Sequence, residues 1–367
     1  MPISASKIRS TIAAQCCVSS RSRAPLCRAN QLLAIHLRRT DIAQAVAFFT
    51  DFGLSVIQQD EHVALLKGAG EHSASVIIEQ GPDAYVGISL AVDTLADLQR
   101  LSTAHGLVLQ PTSHGRGGQC VHLRDPDGLL VEAVYGYREL PSQPLPAAIA
   151  ENRVASSPRV NLTVRLDTVN PCVINKLGHT VHGVSRMAES LAWYQNNFGL
   201  IVSDFQMLPN DPLPVVAFMR CDRGEQPADH HTLALAGALD IGHLHSAFEV
   251  DGIDAIASGN QYLQSQGHHH TWGIGRHILG SQLFDYWRDP AGDMFEHYSD
   301  GDLFDSDVST GYHALHSKSL HQWGPPVNND MAGKNPTLTR LRTLLRRLRS
   351  NDDLTFSRLL RLVRAAG

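Results

Sequence analysis

Residues 276–302 read "RHILGSQLFDYWRDPAGDMFEHYSDGD". Leu283, Phe284, Tyr286 and Trp287 precede the turn-forming run Asp289-Pro290-Ala291-Gly292, and Met294, Phe295 and Tyr298 follow it. Such a pattern predicts two strands joined by a tight turn. Glu296 falls in the middle of the second strand, among neighbours that belong in a core. A carboxylate taken out of water needs a partner, so this stretch poses a chemical question together with a fold.

The same hairpin occurs twice. "LRDPDGLLVEAVYG" (123–136) matches "WRDPAGDMFEHYSD" (287–300), "AFFTDFGLSV" (47–56) matches "AWYQNNFGLIV" (192–202), and "AVDTLADLQRLSTAHGL" (91–107) matches "EVDGIDAIASGNQYLQSQG" (249–267). The order is identical in both halves, which marks an internal duplication. Each copy reads as a strand, a helix bearing the aromatic pair before "FGL", three strands, a second helix after the "VD" pair, and the closing hairpin. The fold class expected is α+β.

The 367 residues suit two domains with tails. The expected boundaries are a leader or disordered segment at 1–30, a first module at 31–140, a Pro-containing linker at 141–172, a second module at 173–305 and an extension at 306–367. The first 40 residues contain no Asp or Glu and several Arg and Lys, a composition that fits a mitochondrial transit peptide or an over-long, disordered start. Cytoplasmic residence is expected, with mitochondrial targeting as the alternative. In the extension, "PTLTRLRTLLRRLRS" (336–350) places Leu338, Leu341, Leu345 and Leu348 on one helical face, with Asn335 and Pro336 as cap and first residue.

No apolar run approaches the ~20 residues that span a bilayer, and a net charge of −5 offers no footprint for nucleic acid. Neither a membrane nor a nucleic-acid partner is expected. Six cysteines without CxxC spacing indicate neither a disulfide framework nor a zinc site. Histidine is the abundant chemical group, with 20 in the chain.

The duplicated pattern resembles the βαβββ modules of the vicinal oxygen chelate superfamily, the glyoxalase and bleomycin-resistance group. Two such modules in one chain resemble the type I extradiol ring-cleaving dioxygenases, on the "GRH", "YWRDP" and "FEHYSDGD" elements above all. The resemblance spans about residues 31–305. It implies two tandem modules, each a pair of βαβββ units forming a partly closed mixed-sheet barrel, followed by a helical tail.

It further implies one Fe(II) in the second module, on the positions matching His179 in "KLGHT", His245 in "HLHSAFEV" and Glu296 in "MFEHY". Two imidazoles and a carboxylate on one face of an octahedron leave adjacent positions open, the pattern of non-haem Fe(II) oxygen chemistry; Mn(II) suits the same donors. By position, His231 matches the acid–base histidine, although His230 adjoins it and an offset of one stays open. His277 and Tyr286 match groups that hydrogen-bond substrate, Tyr286 also being readable as a core aromatic. His182, His243 and His268 to His270 match no role.

Aligning the two copies puts Leu33, Gly87 and Glu132 opposite His179, His245 and Glu296, so the first module is not expected to bind metal. Glu132 then reads as a solvated or hydrogen-bonded relic. The implied activity is Fe(II)-dependent cleavage of a catechol with O₂ to a muconic-semialdehyde-type product, by a homo-oligomer. The rivals are a 4-hydroxyphenylpyruvate-dioxygenase-like 2-oxo acid oxygenase and a non-catalytic ligand-binding protein of the same superfamily.

Overall fold

The computed structural model describes residues 12–147, 150–164, 170–316, 318–331, 338–350 and 353–366. The first module runs β1 (Ala29–Arg39), α1 (Ile42–Asp51), β2 (Ser55–Gln59), β3 (Val63–Lys67), β4 (Val76–Gln80), then β5 (Ala84–Val92), α2 (Leu95–His105), β6 (Gln110–Pro111), β7 (Gln119–Arg124) and β8 (Leu130–Tyr135). These are two βαβββ units in succession. Helix starts are written locally: Asp41 accepts from the Gln44 amide and Thr94 from that of Asp97, each satisfying an otherwise unpaired first-turn N–H. Gly106, at φ 62°, closes α2 in the left-handed conformation that glycine adopts without strain.

The second module repeats the order with β9 (Ile174–Gly183), α3 (Met187–Phe198), β10 (Ile201–Met207), β11 (Pro214–Arg220), the short β12 (Ala228–Asp229) and β13 (Leu233–Ala236). Its second unit is β14 (Gly242–Val250), α4 (Gly252–Ser265), β15 (His269–His277), β16 (Leu283–Arg288) and β17 (Met294–Ser299).

The first sheet has the order β2-β3-β4-β1-β5-β8-β7-β6. The antiparallel pair β1 and β5 joins its two units, and each of those strands pairs in parallel with the last strand of its own unit. In the second sheet, β9 and β14 occupy the equivalent centre. The central strands are where side chains from both units converge. Neither sheet closes into a barrel among the described residues.

One apolar core runs through both modules. Phe48, Phe49 and Phe52, the α1 aromatics before "FGL" and that motif's own Phe, cross to the second module, where Phe49 meets Phe295 at 4.9 Å and Phe52 meets Phe248 at 5.8 Å between ring centroids. Arg39 reaches the turn at residues 289–292, and its Nη2 lies 2.6 Å from both Asp289 and Asp293.

Two segments depart from expectation. Within residues 12–30, expected to lie outside the fold, Cys27 is buried, Leu26 and Cys27 donate to the Asn196 and Asn197 carbonyls, and Ser20 accepts from the Val202 amide. Strand β1 itself begins at Ala29. The reason is packing: the end of α3 leaves carbonyls open, and this segment satisfies them.

The stretch after Asp302, most of it the extension expected as a helical tail, also holds strands. It contributes β18 (Leu303–Phe304), which pairs with β12, and β19 (Gly311–Ala314) and β20 (His321–Trp323), which cap the two ends of the second sheet on β10 and β15. Helices α5 (Leu338–Arg347) and α6 (Phe356–Ala366) follow. Asn335 and Pro336 lie outside the described residues.

Candidate metal centre and active site

Three neighbouring central strands position the proposed ligands. Ala247 on β14 pairs with His179 of β9 on one side and Glu296 of β17 on the other. His245 precedes Ala247 by two residues and so projects to the same face. The donor atoms of His179, His245 and Glu296 all lie within 4.8 Å of one another. His179 Nε2 and His245 Nε2 stand 3.4 and 3.3 Å from Glu296 Oε2, and His277 Nε2 stands 3.7 Å from Oε1.

Glu296 is fully buried, yet neither of its oxygens has a hydrogen-bond partner, and His179 Nδ1 also lacks one. Burial raises the Glu296 carboxyl, but His179, His245 and His277 outweigh it and hold the group well below the usual carboxylate range. Burial meanwhile pushes His179 down toward the neutral imidazole a metal requires. An ionised carboxylate with two imidazoles gathered on it, and no hydrogen bonds, is a cation site by its donor set. The residues therefore fit a metal.

In the first module the matching carboxylate has a different partner. Glu132 pairs with Ser89 on β5 as Glu296 pairs with Ala247 on β14. It is buried, not solvated, and Arg116 Nη2 donates to both of its oxygens at 2.8 Å. Ser89 donates to Oε2, and His122 lies 3.2 Å from Oε1. Cys120, His122 and Glu132 also come within ligand distance of one another, but the guanidinium already supplies the cation that this carboxylate needs.

The copy alignment shifts by one on β1. Ala34, rather than Leu33, pairs with Ser89 and so occupies the place of His179; both modules bulge at the residue before this position, and the offset arises because α3 runs one residue further than α1 to reach the shared Phe, Phe198 against Phe52. Gly87 stays opposite His245, and His36, in the place of Val181, lies 3.5 Å from Glu132 Oε2.

Around the metal centre, the His231 ring packs against His179 at 4.0 Å between centroids, whereas His230 turns to Asp204, 2.7 Å away. His231 is thus the member of the pair beside the proposed ligands. Burial, with His179 and His230 nearby, lowers its basicity well below the usual imidazole value. His277 Nε2 and the Tyr286 hydroxyl lie 2.9 Å apart, and the Leu320 carbonyl accepts from His277 Nδ1 at 2.8 Å. Burial and Glu296 raise Tyr286 well above the ordinary phenol value, so it stays a neutral donor.

The histidines without a matched role make structural pairs. His243 stacks on Tyr85 of the first module at 3.9 Å, His182 reaches the same hydroxyl, and His268, His269 and His270 pair with Asp51, Asp330 and Asp285.

The family model described as Glyoxalase/Bleomycin resistance protein/Dioxygenase superfamily matches residues 31–133 and 176–297, most of both sheets. The chain belongs to this superfamily. Among curated relatives, a metapyrocatechase 2 from Cupriavidus necator is 29% identical over 320 residues, spanning 84% of this chain and 94% of that protein. Among solved structures of the superfamily fold, homoprotocatechuate 2,3-dioxygenase from Arthrobacter globiformis superposes with a TM-score of 0.70 at 20% identity, covering 84% of this chain and 92% of that one. A Mn(II)-bound glyoxalase from Novosphingobium aromaticivorans gives 0.68 at 21% identity, with 83% and 94% covered. The duplicated superfamily module is therefore the scaffold on which the His, His, Glu cluster is mounted.

Proposed function

We propose that this protein is an extradiol dioxygenase that opens the ring of a catechol with O₂ at a ferrous ion held by His179, His245 and Glu296. The observation that carries the reading is the orphaned, buried Glu296 carboxylate ringed by imidazole nitrogens. The metapyrocatechase relative supports the reaction class. When bound, the metal supplies adjacent open positions at which a catechol and O₂ meet.

The chain's own residues then handle protons and orientation. His231, uncharged in its buried setting beside His179, would take a proton from a catechol hydroxyl and hold it for return to the product oxygen. Tyr286 and His277 form a hydrogen-bonded pair on the opposite flank, with the Leu320 carbonyl fixing the imidazole. Trp272 stacks at 4.1 Å on Phe284, which in turn stacks at 4.3 Å on His277, so the pair stands on an apolar wall.

The test is an aerobic assay of ferrous-loaded protein against monocyclic, bicyclic and carboxylated catechols. A yellow ring-fission product with stoichiometric O₂ uptake is expected. No product from any catechol, with one equivalent of iron bound, overturns the reading. Parallel loading with Mn(II) determines which ion supports turnover.

A further inference from the structure

His230 adjoins His231 in sequence and faces away from the ligands, and its contacts form a chain of four side chains. Asp204 on β10 lies at the centre. Its Oδ2 is 2.7 Å from His230 Nε2, and its Oδ1 is 2.7 Å from His313 Nε2 on β19. His230 Nδ1 then stands 3.0 Å from His231 Nδ1.

The arrangement is held from several directions. Ser203 Oγ donates to the His230 carbonyl at 2.6 Å, and the His230 amide donates to that of Asp302 at 2.8 Å. The His230 ring packs between Phe218 and Phe304. Gly311 pairs with Asp204 across β10 and β19, and a side chain there would overlap Asp204 Oδ1.

The protonation pattern follows from the donors. Burial works against an Asp204 charge, but the two imidazoles outweigh it and hold the carboxyl at about 2. An ionised carboxylate only accepts, so His230 presents its N–H at Nε2. With its N–H at Nε2 directed to Asp204, His230 offers Nδ1 as the acceptor for His231 Nδ1–H at 3.0 Å. His231 is left with an unprotonated Nε2, an atom that hydrogen-bonds to no described residue.

We propose that His230 and Asp204 are positioning residues that hold His231 in the Nδ1–H tautomer and so present Nε2 as the proton acceptor for the bound catechol. The logic is that of a buried carboxylate fixing a catalytic imidazole, here with one more imidazole between carboxylate and base. The role rests on the extradiol reading above, in which His231 is the acid–base group.

The test compares two replacements in the iron-loaded full chain. His230→Phe keeps the ring shape between Phe218 and Phe304 but removes the acceptor. His230→Asn loses the ring and keeps an oxygen near the Nδ1 position. Expected are a fall in kcat of roughly 10- to 100-fold for H230F, with iron content and catechol KM near wild type, and a smaller fall, about fivefold, for H230N.

A shape-only role gives the reverse order and overturns the proposal. The double variant H230F/H231A is expected to be no slower than H231A, because His230 acts through His231; an additive further loss overturns it as well. Asp204→Ala leaves His230 in place and is expected to lower kcat like H230F; wild-type kcat in D204A overturns the proposal even where H230F fails to fold. Wild-type protein that cleaves no catechol overturns the extradiol reading itself, and with it this role. Wild-type cleavage with unaffected variants overturns the role alone.

Discussion

Glu132 and Glu296 occupy matching register positions and meet opposite environments, an arginine in one module and imidazoles with open oxygens in the other. Replacing His179, His245 or Glu296 by Ala is expected to abolish iron retention, measured as iron per chain after gel filtration. Glu132→Ala should keep the iron but strand the Arg116 guanidinium in the core, an error that costs about 3–5 kcal/mol and appears as a lowered melting temperature. Loss of iron from a folded Glu132→Ala protein would sink the one-site assignment. For His231→Ala the expectation is wild-type iron content and a drop in kcat of ~10²–10⁴-fold, the usual worth of a positioned acid or base. An iron-free H231A protein would make His231 a ligand instead.

At the scale of elements, the strands after Asp302 carry more than the sheet edge. β20 pairs with β15 at His277, and Leu320 just before it orients that imidazole. Truncation after residue 316 removes both, and ring cleavage is expected to fall at least about tenfold with iron retained, as usual when one orienting hydrogen bond to a charged or catalytic group is lost. Truncation after residue 331 removes only the terminal helices. It should lower the melting temperature, because Arg358 donates to the Leu213 and Pro214 carbonyls and pairs with Asp211, while kcat stays near wild type. Equal kcat in the two truncations would show that β20 does not orient the site. By the same logic, deletion of residues 1–28 uncovers the end of α3 and should cost melting temperature before it costs activity.

The whole molecule depends on the modules staying joined, and much of that joint is polar. Arg39 of the first module is buried against Asp289 and Asp293 of the second, so Arg39→Ala leaves carboxylates without their cation and is expected to destabilise by about 3 kcal/mol. Denaturant unfolding at neutral pH reads this directly, and an unchanged midpoint would refute it. The pH dependence follows from buried neutral histidines. Burial lowers His182 to about 3, and burial likewise lowers His297 to about 4. Both are depressed below the ordinary imidazole value, so their contribution is complete above about pH 6.5 and is lost as pH falls from there toward 4 and 3. Asp293, held at about 2 by His243 and Arg39 against the effect of burial, adds a loss only in stronger acid. Denaturant midpoints at pH 7.5, 6 and 5 should therefore decline in that order, and a flat series would exclude this account.

The His, His, Glu set came from the resemblance to the extradiol group carried by "GRH", "YWRDP" and "FEHYSDGD", whereas the amino-acid sequence by itself determined the duplication and the βαβββ order of each copy. Those features lie in local periodicity, turn residues such as "RDPAG", and spacing, all of which a single strand or helix expresses on its own. Tertiary structure alone decided the rest. Strand pairing set Ala34, rather than Leu33, in the place of His179, because α3 runs one residue further than α1 to the shared Phe, and it set His36 beside Glu132. Residues that looked like a leader became the cover of α3 because carbonyls there were open. Asp204, His230 and His313 meet although 26 and 83 residues separate them in turn, since β10 and β19 come to lie side by side. Encounters of this kind depend on strand register and on chain-distant packing, which no local pattern encodes.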